Sequence, residues 1–348
     1  MKKHVLYCAA AALCFAACSN HETDGLDNGV QPRNAVPIRI GQSVAGVTAR
    51  GVIESGSDVT ATVLTANYSD SYDASTAFSN FQPQYSNVLS DNGENTLTNP
   101  ANISAATFTA GTEQVIILNP ILYYYSSNKT AVAAIAPAGT ISGNNVTMTL
   151  TDGEQDVMYA SADAGEKPTG TPGNNSTPIT LEFKHLTTQL KFAFKLSAEP
   201  TKTWKDKAVS VKSITVQNAS IPQSVTLSGT ANFSTPGSNL DVPGIVSGNS
   251  ITTDAKSVGR PVMVNASNDI KLDITLTVGN KDYAFANVQV MRASAGNTSE
   301  KLTTVIGSSH LIILTVTEPV EPTDGAEIGT QATVTAWTPG EEGSGELK

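Results

Sequence analysis

Hydrophobicity in this chain repeats every second residue, and that period admits β-strands and little else. In Lys271-Leu272-Asp273-Ile274-Thr275-Leu276-Thr277 the alternation is strict, which predicts a strand with one apolar and one wet face. Val59, Ala61 and Val63 alternate in the same way. Short apolar runs, Gln114 to Leu118 and Thr130 to Ala136, stop at Asn119-Pro120 and Pro137-Ala138-Gly139. Val, Ile and Thr fill these stretches, and they suit a pleated surface better than a helix. Turn residues punctuate them at short intervals, the pattern of a sandwich or barrel. No long stretch carries a clean helical stripe.

The N-terminus predicts export. Lys2 and Lys3 precede an apolar run, Val5 to Ala17, that is too short to span a bilayer as a helix. It ends in Ala16-Ala17 immediately before Cys18. Small residues followed by cysteine resemble a bacterial lipobox, in which the thiol is acylated and becomes the mature N-terminus. The alternative is plain secretion, with Cys18 discarded or free. All three cysteines (Cys8, Cys14 and Cys18) lie in this leader, so no disulfide or thiolate chemistry is expected in the folded part. The expected organisation is a signal peptide over 1–17, a lipidated tether over 18–35, and two β-sandwiches over 36–175 and 176–348. The boundary follows the Pro- and Gly-rich stretch between Ala164 and Pro178.

Composition narrows the function. The formal charge is −10, and losing Lys2 and Lys3 with the leader makes the mature chain more acidic still. Such a balance disfavours nucleic acid and anionic lipid, so membrane contact would come from acyl chains on Cys18. Four histidines are present, and His185 and His310 stand alone on strands without an i, i+2 or i, i+4 partner for a metal. There is no Gly-x-Ser-x-Gly elbow and no P-loop. The loop Asp70-Ser71-Tyr72-Asp73 lacks the spacing of a calcium loop. No catalytic residue, metal or cofactor is expected, although a carboxylate pair of glycosidase type is invisible in sequence. Consecutive strand residues face opposite ways, so Tyr123-Tyr124-Tyr125 cannot form one sugar platform and reads as core and edge. Trp204, in a polar connection, is a candidate for exposed contact, whereas Trp337 reads as a strand anchor.

A lone alternating strand stands at each end of the ordered part. The first carries Ile38, Ile40 and Val44. The last carries Ile328, Ala332, Val334 and Ala336 on one face, with Trp337 on the other, and Glu318-Pro319-Val320-Glu321-Pro322 precedes it.

An ordered series of motifs resembles the fimbrillin family of Bacteroidales pilus and surface lipoproteins, the subunits of type V pili. The series opens with Pro37-Ile38-Arg39-Ile40, then Thr48-Ala49-Arg50, then Tyr123-Tyr124-Tyr125 leading to Ala136-Pro137. Next come Gly153-Glu154-Gln155-Asp156-Val157-Met158-Tyr159-Ala160 and Phe183-Lys184-His185-Leu186 running into Leu190-Lys191-Phe192. Gly307-Ser308-Ser309-His310-Leu311 and Ala336-Trp337-Thr338-Pro339-Gly340 complete it.

The resemblance implies an all-β fold of two tandem Greek-key, transthyretin-like β-sandwiches, and export as a lipoprotein to the outer membrane and cell surface. It implies cleavage after an arginine by a trypsin-like surface protease; by position this is Arg50, cutting before Gly51, with Arg39 and Arg33 as lesser candidates. The strand of Ile38, Ile40 and Val44 would be displaced. The C-terminal strand, Ile328 to Trp337, would be donated to the next copy in a head-to-tail polymer. Partners would be other pilus subunits and, for adhesion, host or bacterial glycans or proteins. A non-polymerising glycan- or host-binding lipoprotein of the same fold is the alternative.

Overall fold

The computed structural model describes residues 32, 35–44, 58–90, 95–109, 115–126, 128–150, 152–169, 178–235, 237–292, 300–319 and 327–336. For 42–44, 115, 327 and 329–336 it describes the backbone only. In chain order the first strands are β1 (Ile40–Val44), β2 (Asp58–Tyr68), β3 (Val88–Leu89), β4 (Leu97–Asn99), β5 (Ile103–Thr109) and β6 (Val115–Asn119). They continue as β7 (Lys129–Ala136), β8 (Thr140–Ser142), β9 (Asn145–Thr147), β10 (Met158–Gly165) and β11 (Ile179–His185). Then follow β12 (Thr188–Leu196), β13 (Val209–Ala219), β14 (Pro222–Thr226), β15 (Ala231–Phe233), β16 (Ser238–Asp241) and β17 (Lys256–Ser257). The last are β18 (Val262–Val264), β19 (Lys271–Val278), β20 (Lys281–Gln289), β21 (Ser308–Thr317) and β22 (Glu327–Ala336). Among the described residues one short helix, α1 (Ala74–Ala77), starts at Asp73, whose carboxylate accepts from Thr76 N.

The protein is thus all-β. Its first half closes into a seven-stranded ring in the order β1-β11-β10-β7-β2-β5-β6. The ring interior holds Val36, Ile38, Ile40, Phe108, Leu118, Leu181 and Phe183 among other buried side chains. Strand β7 is buried on both faces, which explains its near-continuous apolar run. Val132, Ala134 and Ala136 face this interior, whereas Ala131, Ala133 and Ile135 face a second core with Phe78, Phe81 and Val225.

The second half is a sandwich. The sheet β17-β12-β21-β22, with β18 also on β12, faces the sheet β16-β13-β19-β20. Phe192, Phe194, Ile312 and Leu314 meet Val211, Ile214, Ile274 and Leu276 between them. The alternation expected in Lys271–Thr277 is observed: Leu272, Ile274 and Leu276 are buried and the residues between them half-buried.

Backbone pairing joins the two halves. Strand β11, assigned from sequence to the head of the second sandwich, instead pairs antiparallel with β10 and parallel with β1. The ring therefore takes strands from both sides of the expected boundary. Strand β14 pairs with β9, so the sheet β15-β14-β9-β8 takes strands from both halves of the chain.

Candidate functional site

Of the features singled out in the sequence, the N-terminal strand is the one the fold makes distinctive. Its apolar residues alternate with Pro37 and Arg39, so Val36, Ile38 and Ile40 all turn inward; Ile40 is fully buried and the other two nearly so. The backbone is held on both sides. Ile38 N donates to Leu122 O at 2.8 Å, Tyr124 N to Val36 O at 3.1 Å, and Ile179 N to Arg39 O at 2.8 Å. Beyond them, Ile40–Val44 runs parallel to Ile179–Phe183 of β11, while Ile40 and Gly41 pair antiparallel with Ile116 and Val115 of β6. The strand is thus a stave in the ring, not an edge. At about 1.5–3 kcal/mol per large aliphatic side chain, burial of Val36, Ile38 and Ile40 contributes roughly 5–9 kcal/mol to holding it there. Val44 is fixed by its register opposite Phe183. Val36 belongs to the same buried set, although the sequence pattern singled out only residues from Ile38 onward.

Arg39 lies inside this paired segment, half-buried, with its carbonyl engaged. Arg50 and Gly51, like Arg33 and Cys18, lie outside the described residues. By sequence, Arg50 falls in the connection between β1 and β2.

Strand β22 is the outermost strand of its sheet and pairs antiparallel with β21 over its whole length. Ile328, Ala332, Val334 and Ala336 stand opposite Val316, Ile312, His310 and Ser308. Ile328 is half-buried and packs against the core of the sandwich. Trp337 lies outside the described residues. Just before the segment that leads to β22, the Glu318 carboxylate accepts three backbone N–H groups, from Thr201 at 2.8 Å, Lys202 at 2.9 Å and Trp204 at 2.6 Å. Burial alone would raise this carboxyl's pKa, but the three donors outweigh it and hold it below the usual range.

A family profile described as fimbrillin-like matches residues 64–337, most of the chain. The chain belongs to the fimbrillin-like family. No curated protein matches it significantly. Among solved structures, this fimbrillin-like chain is similar to a candidate cell adhesion protein from Bacteroides uniformis, at 14% identity and a TM-score of 0.48, over 88% of this chain and 100% of that one. It is also similar to a candidate cell adhesion protein from Bacteroides ovatus, at 14% identity and a TM-score of 0.47, over 89% and 100% of the two chains. A fimbrilin from Porphyromonas gingivalis matches at 12% identity and a TM-score of 0.42, over 87% and 98%.

The remaining sequence-marked residues of this fimbrillin-like chain serve structure. His185 Nδ1 lies 2.6 Å from Asp156 Oδ2, with both side chains buried, and Thr187 donates to the other carboxylate oxygen. His310 is fully buried; Val305 N donates to its Nε2, and desolvation lowers its pKa. Tyr123 and Tyr124 are buried and Tyr125 is half-buried, so the triplet forms core and edge as expected. Trp204 corrects the sequence reading. It is fully buried in the core of the sandwich, edge-on to Tyr283 at 5.4 Å, and offers no exposed contact. Asp73 caps α1 and bonds Ser75 and Thr76, which pulls its pKa down to about 2.

Proposed function

We propose that this chain is a structural subunit of cell-surface fimbriae that supports adhesion. It is exported as a lipoprotein acylated at Cys18 and anchored in the outer membrane until assembly. A trypsin-like surface protease cuts after Arg50, before Gly51, and the N-terminal strand with Ile38, Ile40 and Val44 leaves. The C-terminal strand of the next copy, with Ile328, Ala332, Val334, Ala336 and Trp337, then fills the vacancy. Repeated head to tail, that contact builds an open filament. The units of this exchange are a ring unit ending at His185 and a sandwich unit beginning at Thr188.

Family membership supports a pilus-type adhesion role at the cell surface. The observation that carries the mechanism is the place of β1, bonded on both sides by strands distant in sequence. Removing it opens a slot bounded by β11 and β6, and a replacement must run parallel to one and antiparallel to the other. Two unpaired strand edges with an apolar trough between them are a template for another chain. Cleavage makes the exchange directional, because it removes the competitor that is held in place covalently.

The test is Arg50→Ala expressed in the native host. The variant should remain a membrane-bound monomer that keeps residues 36–44. Filaments built by that variant would remove Arg50 cleavage from the mechanism. A second reading, a non-polymerising surface lipoprotein that binds glycans or host proteins, is favoured by one observation: β22 docks on β21 of its own chain. N-terminal sequencing of the surface protein separates the two. Gly51 supports assembly, and a blocked Cys18 supports the monomer.

A further inference from the structure

Away from both terminal strands, the end of β2, helix α1 with the loop that follows it, and the end of β4 border an open cavity of about 430 Å³. No charged side chain lines it. Four side-chain amides, those of Asn67, Asn80, Gln82 and Asn99, reach its wall from exposed positions and have no hydrogen-bond partner among the described residues. Two more are engaged: Gln84 Nε2 donates to Ser86 O at 2.8 Å, and in buried Asn102 the Oδ1 accepts from Gln84 N and the Nδ2 donates to Gln82 O, both at 2.7 Å. The main chain of Asn102 continues the tie, with its N–H donating to Gln84 O at 2.9 Å and its carbonyl accepting from Thr65 N at 3.0 Å. The loop bearing Gln82 is thereby fixed to β2 and β5. Phe81 and Tyr125 add ring surface to the lining, and the Tyr125 hydroxyl donates to Thr65 O.

We propose that this cavity binds a neutral carbohydrate of one or two sugar units. Each free amide offers both a carbonyl acceptor and an NH₂ donor, which matches the paired donor and acceptor character of adjacent sugar hydroxyls. A charged ligand would lose its hydration without gaining a counter-ion here, which selects against it. The volume falls within the range of small-ligand sites, and a fixed floor with a few aimed polar groups is how such sites obtain orientation. An extended peptide is the less suitable occupant, because the cavity is a pit lined by side chains and not an open strand edge. The site does not rest on strand exchange: it would be complete in the uncleaved monomer, so its failure would leave the assembly reading untouched.

The experiment titrates the uncleaved full chain with lactose, maltose and N,N′-diacetylchitobiose. The charged 3′-sialyllactose and a capped Gly-Ser hexapeptide serve as comparators. Calorimetry and the NMR side-chain amide resonances of Asn and Gln are the readouts. At least one neutral disaccharide should bind and shift amide signals of this cavity. The Gln82→Ala/Asn99→Ala double variant should weaken that binding ten-fold or more with an unchanged melting temperature. If the double variant melts earlier, Asn80→Ala should show the same direction of loss. The proposal is overturned if no neutral sugar binds, if only sialyllactose or the peptide binds, or if the variants bind as the parent does.

Discussion

Replacing Ile40 with alanine tests whether β1 is a separable ribbon. Ile40 is fully buried among Ile116, Leu181 and Phe183, so truncation removes burial and leaves a cavity. Such changes cost about 2–5 kcal/mol, and roughly 3 is a fair middle value for a site walled by strands on both sides. If β1 leaves the ring in a local opening, that whole cost falls on the opening equilibrium. At about 1.4 kcal/mol per factor of ten, the open population rises roughly a hundred-fold. Native-state hydrogen exchange reads this directly, because openings smaller than global unfolding expose their own set of amides. The Ile38 and Ile179 N–H groups, which bond Leu122 O and Arg39 O, should exchange about a hundred times faster in Ile40→Ala. In the parent these two amides should also be less protected than the slowest amides of β13 and β19, which open only with the whole molecule. Protection at Ile179 that is unchanged in the variant, or that already equals that of β19 in the parent, would mean that β1 does not open by itself. The displaced-strand mechanism would then lose its physical basis.

Three further outcomes follow from the packing. Glu318→Gln removes the charge that accepts three backbone N–H groups; because the carboxyl's pKa is lowered on folding, its stabilisation is present above the ordinary value near 4.5 and is lost as pH falls through the folded value. The parent's melting temperature should therefore drop more than the variant's between pH 6 and pH 3 in calorimetry. Asp156→Ala leaves buried His185 without its carboxylate partner and should cost about 3 kcal/mol or more in urea titration, with Asp156→Asn milder. Gly153 has φ +67°, and an added Cβ would come within 2.7 Å of Leu240. Left-handed backbone costs about 1–2 kcal/mol for a residue with a side chain, so Gly153→Ala should lower the midpoint accordingly.

Strand character was legible wherever one face is buried, as in Lys271–Thr277 and in Ile179–His185, where Leu181, Phe183 and His185 alternate inward. Pairing was not legible. β11 follows a stretch dense in Pro and Gly, which signals a loop but carries no information about which sheet the next strand joins. Its partner β1 lies far upstream and runs parallel, a connection that no local pattern encodes. Trp204 was misread for a related reason. Its neighbours Thr203 and Lys205 are polar and describe the loop correctly, but the indole turns back into the core, and the carboxylate that steadies the loop comes from Glu318. The terminal strands were legible as isolated alternations, and Ile38 and Ile40 are buried as their spacing predicts. The amide-lined cavity carried no signal, because asparagine and glutamine scattered over a loop and two strands look like ordinary surface until the fold gathers them.

Three of the segments that carry the family resemblance converge on one junction, and their residue types are explained there. Gly153 accepts from Met263 N, and Glu154 meets Arg260 at 2.5 Å, which ties the ring side to the loops around β18. Asp156 holds His185, and Leu186 N donates to Val157 O, so β11 leaves the ring under fixed geometry. Gly307 N donates to Thr187 O, which sets the start of β21 beside β12. A continuous path therefore runs from β11, the parallel neighbour of β1, through two pinned residues into β12, then across to β21, which carries β22. These bonds hold the ring and the sandwich in a fixed relation at the point where the chain passes from one to the other. The junction places left-handed glycines where the segments meet and a buried carboxylate–imidazole pair at the turn. Both groups of the pair are closed to solvent and spend their hydrogen bonds on the fold.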